Sequence, residues 1–409
     1  MSKEIRLITL DPPYSKYFRH LAKYLEDNEQ VGFKKHYVSA LGYLVFGVQD
    51  SALIKIRILN RVPSFSSRKT VVGLANKLGY ELTPKSLRRS AQYLEWLQDE
   101  IVKNRINTCL LYNATRFNHA LAITLFRDMG VSYYVFERGT QRGKTTTLLA
   151  NPTLVSLPEL EESHHFAQRV ETKHYGTESL SDYVLFFFFL MFDRLGRLLR
   201  LNFESPDKAL RKKRYTSILF RWIKAKRSPT PTLNNKYLLV PLQLDYDSQV
   251  RCFSSFSSTQ EFINSVENGF YCSSLKNEYV LVFTTHPFEC KKHQFDSRSL
   301  CFSGKTGVLM EGASAVVTIN STAGMEALDK LKPCFVFGDA LYKQENVVIP
   351  ATTVDFTTKL NLWHKTGWCP SRQRVEQMKF NILASTQVMG SVYKYDAEAL
   401  EFAKRKIVS

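Results

Sequence analysis

Four short polar stretches, each following an apolar run, hold the side chains with most chemical capacity in this chain. Glu137-Arg-Gly-Thr-Gln-Arg-Gly-Lys-Thr-Thr-Thr147 joins a carboxylate to Arg138, Arg142 and Lys144, and its glycines let the backbone approach a ligand closely. Gln243-Leu-Asp-Tyr-Asp-Ser-Gln249 offers two carboxylates and two amides, and Thr285-His286-Pro-Phe-Glu289 an imidazole and a carboxylate. Asn320-Ser-Thr-Ala-Gly-Met-Glu-Ala-Leu328 reads as a helix start. Ser321 or Thr322 can cap it, while Ala323 and Gly324 leave its first amide hydrogens open to an anion at the positive end of the dipole. Glu326, one turn further in, suits the hydroxyls of a ribose. Plainer uses stand beside these: Asp245 and Asp247 suit a turn or a helix cap, His286 can stabilise a loop, and Ser321 can simply cap a helix.

The elements that must carry these stretches alternate between strand and helix. Ile5 to Asp11, Cys109 to Tyr112 and Ser132 to Phe136 read as strands. Helical spacing marks Tyr14, Phe18, Leu21 and Leu25, then Ser86 to Ile106 and His119 to Met129, with Phe33 to Ser39 extended. The second half repeats the logic with strands at Tyr237 to Leu244, Tyr279 to Thr284, Ala315 to Ile319 and Cys334 to Phe337, and helices at Thr259 to Phe270 and Thr322 to Leu331. Two doubly wound domains facing a cleft follow, and in such sheets ligands sit beyond the carboxyl ends of the strands, where the four stretches fall. Neither half has a GxGxxG or GxxxxGK[ST] loop, which argues against a P-loop ATPase and an ordinary NAD enzyme.

The chain has 409 residues, a formal charge of +18 and 44% hydrophobic residues, enough for large cores. Twelve bases against two acids lie between Arg194 and Arg227, just after the apolar run Tyr183 to Phe192. Such a pairing suits either an anionic lipid surface or a helix pair between domains. No nucleic-acid motif accompanies the patch. No apolar run approaches the roughly 20 residues that span a bilayer, and the first residues lack a signal-peptide core. Seven scattered cysteines without a CxxC pair suit a reducing compartment and assemble no zinc site. The protein is therefore expected in the cytosol. The expected domains are 1–175, an apolar and basic linker at 176–233, 234–370, and C-terminal helices at 371–409 returning to the first domain.

Taken together the motifs resemble the capsular polysaccharide biosynthesis and export family of KpsS and KpsC type. The resemblance rests on Pro241-Leu-Gln-x-x-x-Asp247-Ser-Gln-Val250, Thr285-His286-Pro-x-Glu289, Thr318-Ile-Asn-Ser-Thr-x-Gly-x-Glu-Ala-Leu328 and Lys332-Pro-Cys-Phe-Val-Phe-Gly-Asp-Ala-Leu-Tyr342. In the first half, Tyr17-Phe-Arg-x-Leu-Ala22, Arg116, His119 and Val135-Phe-Glu137-Arg-Gly139-x-x-Arg142 agree with it. Arg138 stands where the family has a second Glu, and Gly143 where it has Pro.

The resemblance implies a GT-B-like α/β fold of two Rossmann-type domains and a retaining β-Kdo transferase that takes Kdo from CMP-Kdo. The acceptor would be a lyso-phosphatidylglycerol-type lipid or a glycan, reached peripherally at the inner face of the inner membrane beside other capsule assembly proteins. Asp247 would be the nucleophile, Glu137 the general base, and His286 a donor to the leaving phosphate or the sugar carboxylate. Gln243, Ser248, Asn320, Ser321, Thr322, Gly324 and Glu326 would hold the CMP-sugar, and Arg116, Arg142 and Lys144 the sugar carboxylate or the acceptor. The scheme uses no metal and no other cofactor, although Asp245-Tyr-Asp247 is a literal DxD. CMP-sialic acid offers the same chemical handles, and a non-catalytic glycolipid-binding protein of capsule assembly is the alternative outside enzymes.

Overall fold

Strand β1 (Ile5–Leu10) is apolar on both faces because both are covered, the mark of a parallel sheet between helices. The helix Tyr17–Asn28 closes one face with Tyr17, Phe18, Leu21 and Leu25. β2 (Val31–Val38) and β3 (Ser51–Leu53) follow on one side, and β4 (Thr108–Tyr112) and β5 (Ser132–Arg138) on the other, all parallel. β6 (Thr145–Ala150) then runs antiparallel to β5. The computed structural model describes residues 4–11, 15–39, 46–58, 62–140, 144–152, 195–196, 198–199, 233–244, 247–286, 289 and 291–408. The linker expected at 176–233 thus lies almost wholly outside the described residues, as does Arg142.

The helix Pro84–Asn104 begins two residues before its expected start, because Thr83 and Ser86 form a reciprocal cap with proline in the first turn. Gly130, in the left-handed conformation, ends the helix Phe117–Met129 as expected. The helix Phe65–Leu78 adds to those expected: Ser64 caps its start, Gly79 in the left-handed conformation ends it, and Val71, Leu74, Ala75 and Leu78 are buried on one face.

The second unit is a six-stranded parallel sheet. β7 (Lys236–Pro241), β8 (Tyr279–Thr285), β9 (Leu300–Ser303), β10 (Ala315–Thr318), β11 (Cys334–Val336) and β12 (Ile349–Pro350) lie in the order β12-β11-β10-β7-β8-β9. This is the Rossmann order, with reversal between β7 and β10. Alternate residues serve opposite cores: Leu238 and Val240 meet Phe262, Phe283 and Phe335, while Tyr237 and Leu239 meet Met310, Leu328 and Val336. The fold class is therefore α/β with two Rossmann-type units, the make-up of the GT-B class.

Among the described residues, the first unit takes those up to 152, those between 195 and 199, and those from 385 onward, and the second those from 233 to 384. The return thus comes later than the expected 371. In the helix Arg372–Thr386, Val375, Met378 and Ile382 sit in the core that lines one face of the second sheet, which keeps most of that helix there. β13 (Gln387–Met389) then pairs antiparallel with β6, completing a seven-stranded sheet. The helix Ala397–Val408 packs Leu400, Ala403 and Ile407 into the core with Tyr17, Phe18 and Leu21.

A buried amide secures this junction. Gln387 Nε2 donates to the hydroxyls of Thr147 and Thr386, each at 2.9 Å. Gln387 Oε1 accepts from Thr145 Oγ1 at 3.0 Å and the Thr140 amide at 3.1 Å. Gln387→Leu strands these partners, and urea unfolding of the variant is expected to show a loss of roughly 1–3 kcal/mol.

Candidate active site

At the reversal in the second sheet, the loops leaving β7 and β10 part and open the crevice where sheets of this order bind ligands. Gln243 leaves β7 and Asn320 leaves β10. Their side chains meet: Gln243 Nε2 donates to Asn320 Oδ1 at 2.9 Å, and the Asn320 backbone N–H points at Gln243 Oε1 from 3.5 Å. Asn320 Nδ2 also reaches the Phe253 carbonyl at 3.4 Å. Gly338, following β11, keeps this packing possible, since a Cβ there would stand 2.6 Å from that same carbonyl oxygen.

Asp247 lies half-buried at the head of the short helix Ser248–Cys252. Its amide donates to the Leu244 carbonyl at 2.8 Å, and its carbonyl accepts from Val250 at 3.1 Å. Asp245 and the Ser248 side chain lie outside the described residues.

Ser321 caps the helix Thr322–Asp329, its Oγ accepting from the Ala323 amide at 3.2 Å. The Gly324 amide donates to the Ser321 carbonyl at 2.9 Å, and Tyr342 Oη donates to that same carbonyl at 2.6 Å. A Cβ on Gly324 would stand 2.4 Å from Tyr342 Oη. The small residue expected to leave room for an anion thus makes room for a buried tyrosine. Thr322 and Glu326 are exposed.

At the end of β8, His286 is exposed and its carbonyl accepts from the Glu289 amide at 2.9 Å. Glu289 is buried. Its Oε1 accepts from the Lys291 amide at 2.7 Å, and its Oε2 lies 3.8 Å from Nε2 of His293, whose side chain is buried.

The first sheet reverses between β1 and β4, and both strand ends are tightly turned: Asp11 has φ +38° and Asn113 φ +71°. Arg116 Nη1 donates to the Asp11 carbonyl at 3.2 Å and lies 3.7 Å from its carboxylate, with the guanidinium 5.7 Å from the centre of the Tyr112 ring. Burial pushes the Tyr112 hydroxyl pKa up, while Arg138 and Arg116 pull against it. Glu137 is half-buried opposite Thr147, and Arg138 is exposed beside it. A Cβ on Gly139 would stand 2.1 Å from the Thr145 carbonyl oxygen, so the glycine lets the turn into β6 close. Lys144 precedes β6, and its carbonyl accepts from Gly390 at 2.8 Å. His119 Nδ1 lies 3.0 Å from the Asn113 carbonyl, which only a protonated Nδ1 can bond. Burial, with Arg116 nearby, lowers its pKa to about 4, and Nε2 has no hydrogen-bond partner among the described residues.

Residues 207–393, which cover most of the second unit, match the family model described as capsule polysaccharide biosynthesis protein. This region belongs to the capsule polysaccharide biosynthesis family. The family read from the motifs is the family found. Similarity to its members extends into the first unit. The capsule polysaccharide export protein KpsS of Escherichia coli is 25% identical, over 77% of this chain and 85% of that protein. The capsule polysaccharide modification protein LipB of Neisseria meningitidis serogroup A is 24% identical, over 73% and 78% respectively. Among solved structures, the β-Kdo 2,7 transferase of Thermosulfurimonas dismutans KpsC aligns over 98% of each chain, with 12% identity and a TM-score of 0.40.

Gln243, Asp247, His286, Asn320, Ser321 and Thr322, all within the matched region, follow β7, β8 or β10 at one edge of the second sheet. Arg116, Glu137 and Lys144 lie at the corresponding edge of the first. The sequence reading missed Asp11, Tyr342 and His293. Asp11 holds Arg116 across 105 positions and Tyr342 reaches Ser321 across 21, separations that no local pattern records. Among the described residues no group of three or more His, Cys, Asp or Glu side chains is arranged to hold a metal ion.

Two measurements test these packings. Gly324→Ala should destabilise the protein by about 1–3 kcal/mol through the clash with Tyr342, and much less in a Tyr342→Leu background; a cycle of urea unfolding experiments measures the coupling. His119 and His36, the latter 2.9 Å from Thr9 Oγ1, both have pKa values lowered to about 4 by burial. Between the unfolded value of about 6.5 and that folded value, only the unfolded chain takes up the proton. Stability should therefore be full above about pH 6.5 and fall by about 3 kcal/mol per histidine on approach to pH 4. His119→Gln should flatten that decline in urea titrations across the window.

Proposed function

We propose that the chain is a retaining glycosyltransferase of capsule biosynthesis that moves Kdo from CMP-Kdo to a lipid-linked or glycan acceptor. One observation carries the reading: the Gln243 and Asn320 amides meet at the reversal of a Rossmann-order sheet, with Asp247 heading the next helix and the Ser321-capped helix start beside them. Neutral amides, a helix start and an exposed imidazole suit the phosphate of a cytidylate, which leaves readily once its charge is balanced.

Retention follows from two inversions. The Asp247 carboxylate attacks the anomeric carbon, the bond to the phosphate oxygen breaks, and CMP departs with the electron pair. Glu137 then takes the proton of the acceptor hydroxyl, whose oxygen displaces Asp247 and frees its carboxylate. His286 donates to the leaving phosphate or the sugar carboxylate. The scheme routes no step through a metal. Arg116 already has Asp11 as a partner, so it offers a substrate carboxylate the outer side of an existing ion pair, while Lys144 adds a point charge. Acceptor approach at an anionic membrane surface rests on the basic composition of residues 194–227 beside the apolar run Tyr183 to Phe192. Among the described residues no helix is long and apolar enough to cross a membrane.

Asp247→Asn is expected to lower transfer from CMP-Kdo to a synthetic acceptor, read by mass spectrometry, by about 10²-fold or more, while calorimetry finds CMP affinity intact. A variant retaining above about a tenth of the wild-type rate removes Asp247 from the nucleophile's role.

A further inference from the structure

The segment that returns to the first unit builds a cavity that the proposed chemistry leaves unused. β13 runs antiparallel to β6, which runs antiparallel to β5, so the loop after β13 emerges at the same sheet edge as those after β1, β4 and β5. Gly390, with φ +77°, turns the chain there, and its amide ties it to Lys144. A tight turn follows. The Ser391 amide donates to the Lys394 carbonyl at 2.8 Å, and Ser391 Oγ accepts from the Tyr393 and Lys394 amides at 3.3 and 3.0 Å.

The turn presents Tyr393, Lys394 and Tyr395 beside His20, and these four line an open cavity of about 480 Å³. That lies within the ~300–1,000 Å³ usual for small-molecule sites. Tyr395 is fixed edge-on to Tyr17, with ring centres 4.8 Å apart at 86°. Its hydroxyl lies 3.0 Å from His20 Nδ1. Burial raises the Tyr395 hydroxyl to about 12, so it keeps its proton at neutral pH; with Tyr395 as the donor to Nδ1, neutral His20 carries its own proton on Nε2. Burial and the charges of Lys16 and Arg19 lower the pKa of His20 and favour the neutral ring.

Tyrosine rings offer apolar faces to the C–H groups of a pyranose while their hydroxyls stay hydrogen-bonded. An ammonium and an imidazole N–H add donors for an anionic substituent, in a neighbourhood that Lys16 and Arg19 make positive. We propose that this cavity is a subsite for an anionic sugar residue of the acceptor, with Tyr393 and Tyr395 against the ring and Lys394 and His20 toward its carboxylate or phosphate. Assignment to the acceptor rests on the transferase reading, whereas binding of the sugar does not.

Calorimetry on the full chain with the methyl glycoside of Kdo, methyl glucoside and glycerol 3-phosphate tests the proposal. The Kdo glycoside should bind, and Lys394→Gln and Tyr393→Ala should each weaken it by about tenfold while CMP affinity stays as in wild type, with thermal unfolding unchanged in Lys394→Gln. Lys394→Gln changes no backbone bond of the turn, so it reports on binding even where Tyr393→Ala disturbs folding. Unchanged affinity in both variants overturns the subsite. Equal binding of methyl glucoside overturns its preference for an anion, and equal binding of glycerol 3-phosphate overturns its preference for a sugar. Loss of Kdo glycoside binding in Lys394→Gln, in a protein that never turns over CMP-Kdo, would uphold the subsite and remove the transferase reading alone.

Discussion

The hydrogen bond between the side-chain amides of Gln243 and Asn320 joins two strand ends whose following loops part, in a sheet whose order reverses at that point. A carboxylate at either position would bring charge into a partly buried contact, and a hydrocarbon would leave its partner unsatisfied. Two amides are complementary and neutral, so they close the floor of the crevice without fixing its charge. The surrounding parts lean on that floor: Asn320 extends to the Phe253 carbonyl, Gly338 stands against both, and Ser321 begins its helix at the next residue.

The two units arm their sheet edges differently. The second presents amides, hydroxyls and a helix start, whereas the first presents Asp11 with Arg116, then Glu137, Arg138 and Lys144. Dipoles suit a group that must bind and then leave, because their hold on an anion is firm yet short of a full ion pair. Ions suit the selection and deprotonation of an incoming group. The division accords with a donor handled by the second unit and an acceptor by the first in the proposed reaction.

Much of the fold is legible in the sequence because strands covered on both faces read as unbroken apolar runs, as in Leu238 to Val240 or Leu110 and Leu111. β9 is hidden because its residues are largely exposed, and β12 because it has two residues. The helix Arg372–Thr386 shows its apolar positions plainly, but not which core they enter. For the candidate site, the strand-end residues are legible one by one, since the topology assigns loops to one edge. Their pairings are not: Gln243 and Asn320 are 77 positions apart, and the burial that sets Glu289 beside His293 is a property of the whole unit. Gly324 shows the limit well, because a missing side chain signals that space is needed without saying what fills it.

The late return of the chain sets an order on biosynthesis. Every strand of the first sheet up to β6 leaves the ribosome before β7, the first strand of the second sheet, yet β13 follows only after residue 386. While those intervening residues are made, the outer edge of β6 lacks its partner, and so does the face of Tyr17, Phe18 and Leu21 that the helix Ala397–Val408 will cover. An open strand edge beside apolar surface invites pairing with other chains. β6 is half threonine, and the buried hydroxyls of Thr145 and Thr147 await the Gln387 amide, so the nascent edge is polar where a premature partner would dock. The same groups that lock the finished sheet guard it until the last strand arrives.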